Sequence, residues 1–135
     1  MKVVTYEIDI GAPAAVVYDL ITTVEGLKRW IAAEAVVEPR AGGRLQWTHE
    51  NGATMIGRFV ELDPPRRIVF TYGWEGDLMG LRPEASIVEI RLEEREGSTT
   101  LRLSHRGIPS ESVEDHRRGW AFFLGRLRDA AGGRS

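Results

Sequence analysis

The side chains best suited to acid–base chemistry in this 135-residue chain are its three histidines. His105 shares strand parity with Leu101 and Leu103, which predicts that its ring points to the same apolar side. His116 lies four residues before Trp120 in a helical pattern, so both side chains share one helix face. Because histidine titrates near neutral pH, either ring could transfer a proton or anchor a ligand. The alternative is that His105 is a hydrogen-bonded structural residue and His116 lies at a boundary.

The third histidine and the other reactive residue types give weaker signals. His49 stands beside Asn51-Gly52, a hairpin-turn pair, and is predicted to be exposed to solvent. Ser104 directly precedes His105, so the two side chains point to opposite faces of a strand and do not form a hydrolase pair. The sequence contains neither a Gly-x-Ser-x-Gly elbow nor a phosphate-binding glycine loop. Two histidines without a third ligand predict no metal site, and we expect no cofactor.

Charge and cysteine content exclude several classes of protein. The chain has 18 basic and 20 acidic residues and a net charge of -2, so it has no broad positive field that would hold nucleic acid. It has no cysteine, which excludes disulfides, thiolate zinc sites and iron–sulfur clusters. The charged N-terminal residues do not form a signal peptide, and no apolar stretch is long enough to span a bilayer. We therefore expect a cytoplasmic protein with no nucleic-acid partner and no membrane span.

Apolar periodicity predicts a single α+β domain over residues 1–135, with a strand and two short helices first. Residues 4–10 alternate between apolar and polar, as in a half-buried strand. The helical spacing that follows predicts short helices at 13–21 and 24–31. A long amphipathic helix is predicted to begin near Ser110, a plausible N-cap, and to end at Gly132-Gly133.

Six further strands are predicted between the short helices and the long one. Turn residues separate them into the segments 33–38, 44–49, 54–63, 66–74, 85–93 and 99–105. In the third of these segments, Ile56, Val60 and Leu62 are in phase, which predicts that they share one face of the strand. A meander of strands with its helices on one face is typical of an α+β domain.

Large aromatic side chains are predicted to meet inside the sheet. A strongly twisted sheet does not pack flat on one helix and leaves space between the two. Gly119 and Gly125 lie within the long helix, where glycine costs about 1 kcal/mol relative to alanine. They indicate close backbone approach or room for a ligand. The rings either fill the space as solid core or line a cavity, and those predicted to surround it are Trp30, Trp47, Phe70, Tyr72, Trp74, Trp120 and Phe123.

The segment 75–84 is unusually apolar for a loop between strands. It places Leu78 and Met79 between Gly76 and Gly80, which could act as hinges. Three locations are open to the two apolar side chains: the cavity mouth, a subunit interface, or the edge of the sheet. We predict that they contact the cavity entrance or a partner chain, because flexible apolar side chains suit a lid over a non-polar ligand.

Motifs in order across nearly the whole chain carry a resemblance to a known family. They are Ile10-Gly11-Ala12-Pro13, the helix segment 27–30, the Pro-x-x-Gly-Gly turn at 39–43, Gly57, the segment 61–67, the Ser-His-x-Gly end of 99–107, and Gly119-Trp120. The chain resembles the START and birch-pollen-allergen superfamily, and more narrowly the branch of activators of heat-shock protein 90 ATPase and polyketide cyclase-like proteins. The resemblance implies the helix-grip fold, in which a seven-stranded curved antiparallel sheet clasps the C-terminal helix over a ligand pocket.

The resemblance leaves three functions open, because its members include carriers, cyclases, hydrolases and cochaperone domains. The first is a small-molecule binding protein with an apolar cavity for a hydrophobic or aromatic ligand. The second is a protein-interaction module of the cochaperone type. The third is a cyclase- or hydrolase-type enzyme that uses His105 or His116. Relatives often pair, and four tryptophans with a partly apolar loop give a small domain many apolar groups that could be exposed, so we also expect a homodimer.

Overall fold

A computed structural model describes residues 2–132 of the chain. Met1 and residues 133–135, including the predicted helix stop at Gly133, lie outside the described residues. The regular elements are β1 (Lys2–Ile10), α1 (Ala14–Thr22), α2 (Val24–Leu27), β2 (Glu34–Val37), β3 (Arg44–Thr48), β4 (Thr54–Asp63), β5 (Arg67–Tyr72), β6 (Ser86–Arg95), β7 (Ser98–Ile108) and α3 (Val113–Gly132). Two short 3₁₀ segments, Glu75–Gly80 and Ser110–Ser112, complete the chain order.

The strands form one seven-stranded antiparallel sheet in the order β1-β7-β6-β5-β4-β3-β2. The long helix α3 packs against β1, and its inward side chains recur at helical spacing: His116, Trp120, Leu124 and Leu127. The two short helices lie between β1 and β2 in the chain, as the sequence predicts. The α+β helix-grip fold is confirmed.

The inner face of β4 differs from the prediction because the strand contains a β-bulge. The pairing register between β4 and β5 shifts between Phe59 and Glu61, which leaves Val60 as the extra residue. A one-residue shift exchanges the two faces of a strand. Phe59 is therefore buried, with 1% of its surface exposed, whereas Val60 is 50% exposed. The prediction that Ile56, Val60 and Leu62 share one face is therefore wrong: Val60 is exposed, whereas Leu62 beyond the bulge packs against the core.

The second helix is shorter than predicted, and its end positions a ring at the pocket. α2 ends at Leu27, whose carbonyl accepts hydrogen bonds from the backbone N–H groups of Trp30, Ile31 and Ala32. Because three N–H groups share this one carbonyl, the chain forms successive turns after Leu27 and the regular α-helix ends there. Trp30 is buried, and its indole N–H donates to the Leu20 carbonyl at 2.8 Å. The segment 28–32 is thereby held against α1.

Within residues 2–132, no helix is both long enough and apolar enough to cross a membrane.

Candidate ligand-binding pocket

A pocket of about 370 Å³ lies between α3, the segment 28–32, the hairpin that joins β3 to β4, and the 3₁₀ segment after β5. This volume is in the usual range for small-molecule sites. The rings that line it are Trp30, His49, Tyr72, Trp74, His116, Trp120, Phe122 and Phe123. The aliphatic lining is Ile31, Ala32, Ala53, Leu78 and Met79, and the charged or polar lining is Lys28, Glu50, Asn51, Asp115 and Arg126, with Gly119 on α3.

Most of the residues predicted for the site line this pocket. They are Trp30, Tyr72, Trp74, Leu78, Met79, His116, Trp120 and Phe123. Trp47, Phe70 and His105 are buried behind it in the core. The Trp47 ring packs edge-on against Phe70 and Tyr72, with ring centroids 6.1 and 6.2 Å apart. The aromatic set therefore contains both solid core and pocket wall, the two alternatives left open by the sequence.

Each of the three histidines accepts a hydrogen bond from a tryptophan. The pairs are Trp120 Nε1 to His105 Nδ1 at 3.0 Å, Trp74 Nε1 to His116 Nε2 at 3.2 Å, and Trp47 Nε1 to His49 Nε2 at 3.0 Å. An indole N–H only donates, so the accepting ring nitrogen carries no proton. Each imidazole is therefore neutral, with its proton on the other nitrogen.

His105 has both ring nitrogens engaged. Its Nε2–H donates to Ser86 Oγ at 2.8 Å, and the Ser86 hydroxyl donates to the Tyr72 carbonyl at 2.7 Å. Burial, with a smaller contribution from the neighbouring His116 ring, lowers the pKa of His105 to about 3. These surroundings fit the first of the two roles considered for His105, that of a hydrogen-bonded structural residue.

His116 lines the pocket, but its nitrogens are also engaged. Its Nδ1–H donates to the Ser112 carbonyl at 2.8 Å, one turn earlier on the chain, and its Nε2 accepts from Trp74. Burial lowers the pKa of His116 and outweighs the raising effects of the Ser112 carbonyl and the Asp115 carboxylate. The ring can contact a ligand through its carbon edge, but the geometry leaves it no nitrogen for proton transfer.

The prediction that His49 is solvent-exposed is wrong. Its ring is half-buried and lies 5.0 Å from the Phe123 ring and 5.5 Å from the Trp74 ring, measured between centroids. Burial lowers its pKa. The inward position of His49 could be read from the sequence, because His49 continues the alternation of Leu45 and Trp47 beyond the end of β3. The turn pair Asn51-Gly52 indicates solvent exposure, and this local pattern conflicts with the alternation.

Phe122 is a second pocket residue that sequence reasoning missed. It is 59% exposed and stands at the pocket mouth, where the Arg126 guanidinium lies 5.8 Å from its ring centroid. Phe122 falls off the inward stripe of α3, so helical periodicity assigns it to solvent.

The apolar loop after β5 forms compact turns at the pocket. Gly76, Asp77, Met79 and Gly80 all have left-handed backbone angles, with φ of 73°, 56°, 56° and 70°. This conformation is uncommon for residues with a side chain, and it occurs here at Asp77 and Met79. Leu78 remains 44% exposed, and both Leu78 and Met79 line the pocket. The turns place the two apolar side chains at the cavity entrance.

Within the described part of the chain, no three His, Cys, Asp or Glu side chains are grouped to hold a metal ion.

Comparison with known proteins assigns the chain to a family. The family model for "Activator of Hsp90 ATPase homolog 1-like protein" matches residues 11–132. The human protein "Activator of 90 kDa heat shock protein ATPase homolog 1" is 30% identical over 105 residues, which are 76% of this chain and 29% of the human protein. The chain thus spans less than a third of the length of the curated relatives it matches.

Solved structures agree with this assignment. The AHSA1-like protein of Rhizobium etli is 41% identical, with a TM-score of 0.77 over 98% of this chain and 83% of that one. The Aha1 dimer of Colwellia psychrerythraea is 23% identical, with a TM-score of 0.81 over 99% of this chain and 100% of that one. The second likeness supports the fold alone.

Proposed function

Since the chain belongs to the family of activator of Hsp90 ATPase homolog 1-like proteins, we propose that it is a binding protein for an apolar or aromatic small molecule. The observation that carries the proposal is the pocket of about 370 Å³ walled by Trp30, Tyr72, Trp74 and Trp120. Flat rings held by a rigid sheet and helix offer a large apolar surface at little entropic cost. A compound of similar shape would gain free energy by leaving water for this space.

The geometry of His105 and His116 fits binding better than catalysis. A general acid or base must reach the substrate through a nitrogen or oxygen that is free to exchange a proton. Both ring nitrogens of His105 and of His116 are engaged by protein groups. The two residues are better suited to hold the tryptophans of the pocket wall in fixed orientations.

Native mass spectrometry of the purified protein tests the proposal. We expect a population of the chain that carries the added mass of one apolar small molecule. The protein stripped of that molecule should bind 2-methylnaphthalene at one molecule per chain. A purified chain that carries no added mass, and that also fails to bind 2-methylnaphthalene at a saturating concentration of the compound, would contradict the proposal.

The entrance loop gives a more specific prediction. Replacing both Leu78 and Met79 by serine should weaken binding of 2-methylnaphthalene by about thirtyfold, because two apolar contacts of roughly 1 kcal/mol each are lost at the pocket mouth. The midpoint of thermal unfolding should change little, since both side chains are partly exposed. Unchanged affinity and an unchanged oligomeric state in the double variant would show that the loop is only a connector.

We also propose that the chain forms a homodimer. Phe122 and Leu78 leave apolar surface exposed around the pocket mouth, and a dimer would bury it. The solved Colwellia psychrerythraea relative is described as a dimer. Light scattering at tens of micromolar should give twice the mass of one chain. A single-chain mass at that concentration would refute this proposal.

A protein-interaction role is the second candidate, and the family itself favours it. The human relative is named as an activator of a heat-shock protein ATPase. In that case the exposed surface, including Phe122, would carry the function and the pocket would be incidental. Addition of the purified chain to such an ATPase, with and without Phe122→Ser, would separate this role from small-molecule binding.

A further inference from the structure

Among the three histidines, His49 has one ring nitrogen that forms no hydrogen bond with the described residues. Its Nε2 accepts from Trp47, so the neutral ring carries its proton on Nδ1. Within residues 2–132, this Nδ1–H has no hydrogen-bond acceptor. The ring is half-buried against Phe123 and Trp74 and lines the pocket. A donor in the pocket wall without a protein partner is free to bind a ligand oxygen.

Two cations, Lys28 and Arg126, line the pocket together with His49. Arg126 follows Phe123 by about one helical turn, so it shares the helix face that His49 packs against. Lys28 begins the segment 28–32, which runs beside β3, because the Ala33 N–H donates to the Thr48 carbonyl at 2.8 Å. The Arg29 side chain, next to Lys28, donates to the Ala130 carbonyl at 3.0 Å, four residues beyond Arg126. Lys28, His49 and Arg126 all line the pocket, and the Arg126 guanidinium lies 5.8 Å from the Phe122 ring centroid.

The cations that line the pocket form no salt bridge with the carboxylates that line it. Among residues 2–132, neither Lys28 nor Arg126 has a carboxylate within salt-bridge distance. Asp115, which also lines the pocket, pairs with Arg118 at 2.7 Å. Glu50 lines the pocket from the exposed hairpin turn. A donor and two unpaired cations beside an apolar ring wall match an anionic oxygen on an aromatic body.

We therefore propose, on the basis of the proposed function, that the pocket selects aromatic compounds that carry a carboxylate or phenolate oxygen. The ring system lies against Tyr72, Trp74 and Trp120. The anionic oxygen accepts the His49 Nδ1–H and faces Lys28 and Arg126. His49 is thus the residue that sets specificity for the ligand's polar group.

Three compounds with the same ring system test the proposal: 2-naphthoate, 2-methylnaphthalene and 2-naphthylmethylammonium. Affinities measured by calorimetry or NMR titration should place 2-naphthoate about tenfold tighter than 2-methylnaphthalene, as expected for one hydrogen bond to a charged group. The ammonium compound should bind weakest. Equal affinities for the naphthoate and the methyl compound, or a preference for the ammonium, would overturn the proposal while leaving small-molecule binding in place. Failure of all three to bind would overturn the proposed function as well.

Variants of the donor and the cation separate a specificity role from a structural one. His49→Phe keeps a ring against Phe123 but removes the donor, so the ratio of the affinities for 2-naphthoate and 2-methylnaphthalene should fall below about threefold, whatever the variant does to both affinities together. His49→Gln keeps both an acceptor for Trp47 and an N–H donor, and it should retain part of the preference. Arg126→Gln changes an exposed side chain, so it provides the same test should His49→Phe fail to fold. A full tenfold preference in a folded His49→Phe or Arg126→Gln protein would refute the assignment.

Discussion

Gly119→Leu should reduce the affinity for 2-methylnaphthalene by about ten- to a hundredfold, because the new side chain would occupy the pocket. Gly119 lines the pocket on α3, and a Cβ added there meets no atom within 4 Å. The leucine side chain would therefore project into open space that the ligand needs. Crowding of this kind costs about 1–3 kcal/mol, which corresponds to that loss of affinity. Calorimetric titration of the variant measures the effect.

Gly125→Leu is the matched control. Gly125 lies on the same helix but outside the pocket lining, and its added Cβ would meet only the Arg128 guanidinium at 3.9 Å. Both variants replace glycine within a helix, so both should gain up to about 0.8 kcal/mol of helix propensity. The control should bind 2-methylnaphthalene like the original chain. Equal affinities in the Gly119 and Gly125 variants would show that the ligand binds elsewhere.

The second large effect concerns the pH dependence of stability, which His105 should dominate among the histidines. Its pKa is lowered in the folded state to about 3, whereas the unfolded chain has the ordinary value of 6.5. Below pH 6.5 the unfolded state binds a proton at this residue and the folded state does not, so the free energy of unfolding falls as the pH falls. The free energy of unfolding decreases by about 1.4 kcal/mol per pH unit, which amounts to about 2 kcal/mol by pH 5. The decrease stops near pH 3, where the folded state also binds the proton. Above pH 6.5 this residue should contribute no pH dependence.

His105→Gln tests this assignment by urea unfolding at pH 7.5 and pH 5. The amide can accept from Trp120 and donate to Ser86, but it does not titrate. At pH 7.5 we expect the variant to be less stable by about 1–3 kcal/mol, because the geometry of two buried hydrogen bonds changes. By pH 5 the difference from the original chain should shrink by about 2 kcal/mol. Parallel stability curves would mean that His105 is protonated in the folded protein as readily as in the unfolded one.

Local patterns in the sequence were sufficient to predict the fold and much of the pocket wall. Alternation along β7 placed His105 on the inner face, and helical spacing along α3 placed His116 and Trp120 there. These assignments depend only on which side of one element a residue lies. The apolar side chains of the loop after β5 similarly indicated a position at the pocket entrance for Leu78 and Met79, and both line the pocket although Leu78 remains 44% exposed.

Features that depend on register or on pairs of distant elements could not be predicted. The bulge in β4 exposes Val60, and nothing in that strand's own alternation shows it. The Trp74–His116 hydrogen bond joins residues 42 positions apart, so its formation depends on how α3 docks on the sheet. The role of His49 was hidden for the same reason, since Phe123 reaches it from the other end of the chain.

The central claim is that an apolar compound lies inside the pocket, and intermolecular nuclear Overhauser effects test it most directly. With 2-methylnaphthalene bound, the account predicts effects between the compound's protons and the rings of Tyr72 and Trp120, which line the pocket. It predicts none to Val60 or Ile87, which are exposed away from it. Effects confined to Val60 and Ile87, or no effects at a saturating concentration of the compound, would contradict the account.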